Sequence, residues 1–269
     1  MNKTIGFIGL GNMGFGMVSN LLKGDYGVLI YDTHPEKITE AVAKGADKAE
    51  NVEEIATMVE TVILCLPHPG ISKEVISKLM AGSSKVATII DTSTLNPQTS
   101  KEIHTALQAK NIKFLCDPML GGKVAADNKQ IHFLVEGEKD IFEENKHLFD
   151  AMGMQSDYMG DIPNATLAKL AYNICRYGNV AIAAEVARFV RKYSQDTKAI
   201  YNLLAEGSLD NFGQVWAEDI QEMMLSGIPY KPSKIPQKDL SLIIELAKEE
   251  GLSDTLFEAI KETYKSLES

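Results

Sequence analysis

Through the first 160 residues, short apolar runs alternate with longer stretches in which apolar and polar positions mix. That is the pattern of βαβ units feeding a parallel sheet. The runs at 4–8, 27–31, 61–66 and 85–90 are rich in β-branched residues and bounded by turn residues, so they predict buried strands. Runs at 112–116 and 131–135 predict two more strands, and a helix over 139–152 closes the region. Asn51 followed by Glu54 has the form of a capping box for a short helix. Asn96-Pro97 places a cap and a first-turn proline before a helix over 98–110.

After Gly160 the pattern changes. No proline interrupts residues 164–193, and between Val180 and Val190 nearly every position is apolar or small, so this helix must be buried on most sides. Helices over 196–206, 212–225, 237–250 and 253–267 follow, with Pro229, Pro232 and Pro236 punctuating the loop before the last two. The expected architecture is an α/β domain over 1–161 and an all-helical domain over 162–269, joined by the long helix.

Composition narrows the function classes. The 269 residues are 45% apolar and 24% charged, in the ordinary globular range. With 27 Lys and Arg against 37 Asp and Glu, the formal charge of −10 has the wrong sign for nucleic acid or an anionic membrane. Residues 4–22 carry no charge, yet five glycines and the polar Asn12, Ser19 and Asn20 make them unsuited to lipid. Three separated cysteines without a CxxC pair argue against a disulfide framework and fit a reducing, cytoplasmic location. The five histidines have no metal-ligand spacing, so no metal is expected.

Four segments carry candidate chemistry. Gly9-Leu10-Gly11-Asn12-Met13-Gly14 is a GxGxxG run between the first strand and a helix, where glycines allow a tight turn and close approach of a pyrophosphate. Asp32 ends the next strand, where a carboxylate accepts from an adenosine ribose; it favours NAD over NADP because it repels a 2′-phosphate and no arginine follows. The segment from Asp91 through Ser93 and Thr94 to Pro97 either presents hydroxyls to a ligand or simply makes a capped turn. Gly121-Gly122-Lys123 reads either as a small anion-binding concavity or as a flexible turn with a solvated lysine. On the long helix, Lys169 and Asn173 share a face and Arg176 lies about one turn beyond. A lysine so placed is ordinarily a solvated charge; it becomes chemical only beside a cofactor.

Taken in order, the Gly9–Gly14 run with Met17 and Asn20-Leu21, then Leu66-Pro67, Asp91-Thr92-Ser93-Thr94, Gly121-Gly122, Lys169-Leu170 with Asn173, and Lys238-Asp239-Leu240, resemble the β-hydroxyacid dehydrogenase family. The resemblance spans nearly the whole chain. It implies a Rossmann-type doubly wound sheet followed by a helical domain, with NAD(P) and a small hydroxy acid or semialdehyde in the cleft between them, and a homodimer or homotetramer. It makes Lys169 the catalytic acid and base. It assigns Asn173, Ser93, Gly121 and Gly122 to substrate, and Leu66, Pro67, Thr94 and Lys238 to the cofactor side.

The chain also departs from the family. Leu120 stands where a serine usually precedes the glycine pair, Cys116 where an aspartate is usual, and Lys129-Gln130-Ile131 where Gly-Thr-Leu is usual. Arg176 replaces an apolar residue, so Lys123 and Arg176 are candidates to hold an anionic substrate by charge. Two alternatives stay open: a dinucleotide-binding scaffold without turnover, and an imine reductase, in which a lysine at 169 is less expected.

Overall fold

The computed structural model describes residues 4–193, 196–206 and 220–268. The chain divides into two compact units, Met1–Lys169 and Leu170–Ser269. The division falls inside the long helix, whose first turn is bonded into the sheet of the first unit.

The first unit runs β1 (Ile5–Ile8), α1 (Gly14–Lys23), β2 (Val28–Tyr31), α2 (Pro35–Val42), β3 (Asp47–Lys48), α3 (Val52–Met58), β4 (Thr61–Leu64), α4 (Pro69–Leu79), β5 (Thr88–Asp91), α5 (Pro97–Gln108) and β6 (Lys113–Cys116). It continues through β7 (Met119–Leu120), α6 (Lys123–Asp127), β8 (His132–Gly137), α7 (Lys139–Met152) and β9 (Gln155–Gly160) into α8 (Asn164–Tyr193). Strands β3-β2-β1-β4-β5-β6 lie in that order and are parallel. This is the doubly wound order with its switch point between β1 and β4, where ligands bind beyond the strand ends.

The expected parallel sheet is in fact mixed. β8 runs antiparallel to β6 and β7, and β9 returns parallel to β8. Residues 121–131 leave no room for the crossover of a dozen or more residues that a parallel return needs.

Both faces of the sheet are covered, which is why its strands read as unbroken apolar runs. Phe7, Ile30, Ile63 and Leu115 face a cluster that includes Met17, Leu21 and Phe149. Their neighbours Ile8, Leu29, Val62 and Phe114 face another with Ile55, Leu79 and Leu107. The caps form as their sequence suggests. Asn96 Oδ1 accepts from Thr99 N at 2.7 Å, and Asn51 Oδ1 accepts from Glu54 N at 2.8 Å. Glu54 reaches back to Glu50 N, one residue upstream of the usual reciprocal partner.

The second unit holds the rest of α8 with α9 (Lys198–Glu206), α10 (Gln221–Ser226), α11 (Ile235–Glu249) and α12 (Thr255–Glu268). Its core joins Ala183, Ala184 and Ala187 of α8 to Leu240 and Ile243 of α11 and Ile260 and Tyr264 of α12. Much of the helix expected over 212–225 lies outside the described residues. Among those described, no helix is long and apolar enough to cross a membrane.

Candidate active site

The glycine-rich turn departs from β1 at Gly9, whose φ of +100° is a conformation that L side chains rarely adopt. A Cβ there would lie 2.3 Å from the Cys65 carbonyl oxygen, and one at Gly14 would lie 2.0 Å from the Gly9 oxygen. At Gly11 it would meet nothing within 4 Å. The turn is therefore closed where helix packs on strand and open where a pyrophosphate would approach. No side chain caps the start of α1, and its first turn holds no acidic residue, so its N–H groups and dipole suit an anion.

Asp32 joins this turn to the next one. Its Oδ2 accepts from Leu10 N at 2.5 Å, and its Oδ1 accepts from His34 N at 2.8 Å and His34 Nδ1 at 2.9 Å. Burial opposes its ionisation, but the donors from Leu10 and His34 outweigh burial and hold the carboxyl below its ordinary range.

Beyond β4 and β5 the strand ends are laced together. Ser93 Oγ accepts from Leu66 N at 2.8 Å, Ser93 N donates to Asp91 Oδ1 at 2.9 Å, and Thr92 Oγ1 donates to the Leu64 carbonyl at 2.7 Å. Ser93 is thus buried and fixes the Leu66-Pro67 turn, while Thr94 is half-buried and Pro67 exposed. Gly121 and Gly122 are exposed, with Gly122 at the N-cap of α6. Lys123 Nζ lies 2.5 Å from Asp127 Oδ2, with 61% of the lysine side chain exposed. In this arrangement Lys123 is an exposed, ion-paired surface lysine.

Further along the same carboxyl edge of the sheet, three acids converge. Asp91, Cys116 and Glu136 are successive register neighbours on β5, β6 and β8, and Asp117 follows Cys116. All four are fully buried. Neither Asp117 oxygen has a hydrogen-bond partner. Burial, and then the neighbouring Asp91 and Glu136, push the Asp117 carboxyl well above its usual value. Burial also pushes the Cys65 thiol up to about 11 and the Cys116 thiol well above its usual value, so neither is a thiolate nucleophile at neutral pH. Among the described residues, no group of three or more His, Cys, Asp or Glu could hold a metal ion. Lys169 is half-buried in the second turn of α8, three residues past Thr166, which is bonded to Glu136.

Within the second unit, Asn173 Nδ2 and Tyr177 Oη both donate to Asp239 Oδ2 at 2.9 Å, and Lys238 Nζ lies 3.2 Å from Asp239 Oδ1. Asn173 and Asp239 are buried, so α8 and α11 are locked by a polar cluster. Burial and then the Asp239 charge raise the Tyr177 hydroxyl far above its ordinary range. Arg176 is half-buried on α8.

Residues 4–160 match the family described as the NAD binding domain of 6-phosphogluconate dehydrogenase. A probable mitochondrial 3-hydroxyisobutyrate dehydrogenase of Arabidopsis thaliana is 28% identical, over 98% of this chain and 82% of its own. The chain belongs to the β-hydroxyacid dehydrogenase family.

A second relative, the cytokine-like nuclear factor N-PAC of Xenopus tropicalis, is 27% identical over 98% of this chain, which spans half the length of that protein. The solved 3-hydroxyisobutyrate dehydrogenase of Mycobacterium tuberculosis, with L-serine, shares the fold. Its TM-score is 0.87 at 20% identity, covering 99% of this chain and 94% of the other.

Several polar residues of this chain escape a linear reading. Glu136, Thr166 and Tyr177 each act through a partner that only the fold supplies; His34 meets Asp32 two residues away, and Asp117 stands out because neither of its oxygens is bonded. Two left a signal: Glu136 is the first charge after the apolar run 133–135, and Asn173 and Tyr177 stand four apart on one helix face. Asp239 sits inside a segment that carries the family resemblance, but its role as the acceptor between two helices is visible only in the structure.

Proposed function

We propose that this chain is an oxidoreductase acting between NAD(H) and a small 3-hydroxy acid or the matching semialdehyde, with Lys169 as general acid and base. The observation that carries the reading is the Gly9–Gly14 turn, closed at Gly9 and Gly14 and open at Gly11. When bound there, the cofactor supplies or accepts the hydride. Gly9, Leu10, Gly11, Asn12, Met13 and Gly14 hold its pyrophosphate, and Asp32 accepts from the adenosine ribose. Leu66, Pro67, Thr94 and Lys238 belong to the same cofactor set by resemblance. Asp32 supports NAD over NADP, because a carboxylate kept ionised by N–H donors repels a 2′-phosphate.

In the direction of reduction, Lys169 as an ammonium donates a proton from Nζ to the aldehyde oxygen; in oxidation, its neutral amine takes the hydroxyl proton. Such help is worth about 10² to 10⁴ in rate. Ser93, Gly121, Gly122 and Asn173 make up the substrate set. Lys123 and Arg176 add positive charge where Leu120 has removed a hydroxyl donor. The family resemblance supports a homodimer or homotetramer.

The test is turnover of 3-hydroxyisobutyrate and a panel of small semialdehydes with NAD and NADP in parallel. Wild type turns over with NAD preferred, and Lys169→Ala loses about 10² to 10⁴ in kcat while still binding NADH. Full turnover by Lys169→Ala overturns the acid–base role. A preference for NADP overturns the reading of Asp32. Cofactor binding without any turnover leaves the scaffold alternative, and turnover of imines alone leaves the imine reductase.

A further inference from the structure

The first turn of α8 has no free start. Asn164 opens the helix, and the N–H groups of its first turn need acceptors that the helix cannot supply. Asn164 N and Leu167 N donate to loop carbonyls, those of Asp161 and Pro163, while Thr166 N is met from the sheet. Glu136 Oε2 accepts from Thr166 N at 3.1 Å, and Glu136 Oε1 accepts from the Thr166 hydroxyl at 2.7 Å. One buried carboxylate therefore grips both the backbone and the side chain of a single helical residue. Cys116 Sγ, on the neighbouring strand, lies 3.6 Å from the same hydroxyl.

A second tie comes from β9. The pairing of β8 with β9 shifts register between Val135 and Glu136, where Tyr158 and then Gly160 are the partners, so Met159 is the extra residue of a bulge. The carbonyl of Met159 accepts from Asn164 Nδ2 at 3.1 Å. Both holds on the helix thus come from one irregular point in the sheet.

Lys169 lies three residues beyond Thr166, about 4.5 Å further along the axis and most of a turn around it. Its main chain is placed by whatever fixes residue 166. A long flexible side chain delivers a proton well only if its root is held, and a displacement of about 1 Å costs on the order of 10²-fold in rate.

We propose that Glu136 is the positioning residue for Lys169, fixing through Thr166 the helical turn from which the lysine projects. This rests on Lys169 being the acid and base. Glu136 touches no reacting atom. Burial raises the pKa of this carboxyl, and the group is retained there because two donors of one residue satisfy both of its oxygens.

The test joins amide exchange to kinetics. In Glu136→Ala, hydrogen exchange at residues 165–169 accelerates about tenfold or more, while residues 9–14 keep wild-type protection and NADH binds as before. Its kcat for 3-hydroxyisobutyrate oxidation falls about 10²-fold with little change in KM for NAD. Placed on Lys169→Ala, the same substitution costs nothing further, because its effect passes through the lysine. Thr166→Val, which removes only the hydroxyl donor, gives a smaller loss that Thr166→Ser restores; it serves if Glu136→Ala does not fold.

Unchanged exchange at 165–169 overturns the proposal. So does a Glu136→Ala loss that persists in full on Lys169→Ala. If Lys169→Ala itself keeps wild-type turnover, the acid–base reading fails instead, and the exchange result still decides whether Glu136 holds the turn.

Discussion

At the end of β2, Asp32 is a carboxylate with every need met: three N–H donors from Leu10 and His34 reach its two oxygens. Across the same sheet, Asp117 follows β6 fully buried with neither oxygen bonded, beside two further acids, Asp91 and Glu136. The two carboxyls are driven in opposite directions, Asp32 down and Asp117 up. The difference lies in the supply of donors. A turn between strand and helix leaves backbone N–H groups unspent, whereas strand ends buried between two helical layers have given theirs to the ladder. The β1–β2 part of this edge is accordingly polar and pre-organised, and the row of acids further along it is dry and reluctant to ionise.

The largest effect is expected where the turn is closed. Gly14→Ala places a Cβ 2.0 Å from a backbone oxygen that cannot swing away, so the turn must deform. Overpacking of this kind costs about 1 to 3 kcal/mol, and the variant loses NADH binding with its lowered melting temperature. Gly11→Ala is the control that sharpens the contrast. Its Cβ meets no protein atom, so stability stays within about 0.5 kcal/mol of wild type while NADH affinity, read by fluorescence titration, falls because the methyl fills the cradle. Equal effects of the two on stability would break the distinction between closed and open glycines.

An intermediate effect belongs to the buried acids, and its sign follows from linkage. Asp117 has its folded-state pKa raised, so between the unfolded value near 3.9 and that raised value the folded chain holds the extra proton. Stability therefore falls as pH rises through that window, by up to about 1.4 kcal/mol per unit for one such group. Asp117→Asn removes the titration while keeping the shape. Relative to wild type it gains stability steadily in urea unfolding as pH rises above the unfolded value near 3.9. Asp32 gives the opposite slope, since its lowered pKa adds stability above about pH 4 that is lost on acidification. A pH-independent gap between Asp117→Asn and wild type would show that Asp117 ionises freely.

The same contrast explains what could be read from the chain beforehand. The Gly9–Gly14 turn and Asp32 are a local signature, because the chemistry of the turn needs those residues at those spacings whatever surrounds them. Helix α8 was legible end to end, and α7 likewise, because long periodic segments carry their own signal. Strand β9 was missed: Gln155–Gly160 is polar and pairs only with β8, so it lacks the apolar run of a central strand. The acid row was out of reach for a different reason. Asp91, Cys116, Glu136 and Thr166 are brought together by register across three strands and a helix start, and nothing local in the sequence encodes a register. The antiparallel β8 that creates this neighbourhood was itself unforeseen, so its consequences were too.

Lys123 supplies the smallest effect and the baseline for both regions. Its ammonium pairs with Asp127 one turn along α6, and both side chains are well exposed, 61% and 41%. Water competes for each charge, so such a pair contributes about 0.3 to 0.5 kcal/mol. Lys123→Ala should therefore shift unfolding by no more than about 0.5 kcal/mol, and less in high salt. Its kinetic effect is the informative part. If Lys123 leaves Asp127 to hold an anionic substrate, the variant raises KM for 3-hydroxyisobutyrate without changing kcat, and Lys123→Ala combined with Arg176→Ala raises it further. If both single variants leave KM unchanged for every anionic substrate tested, charge at these two positions does not replace the serine that Leu120 displaced. The flank of the glycine pair is then a solvated surface like any other.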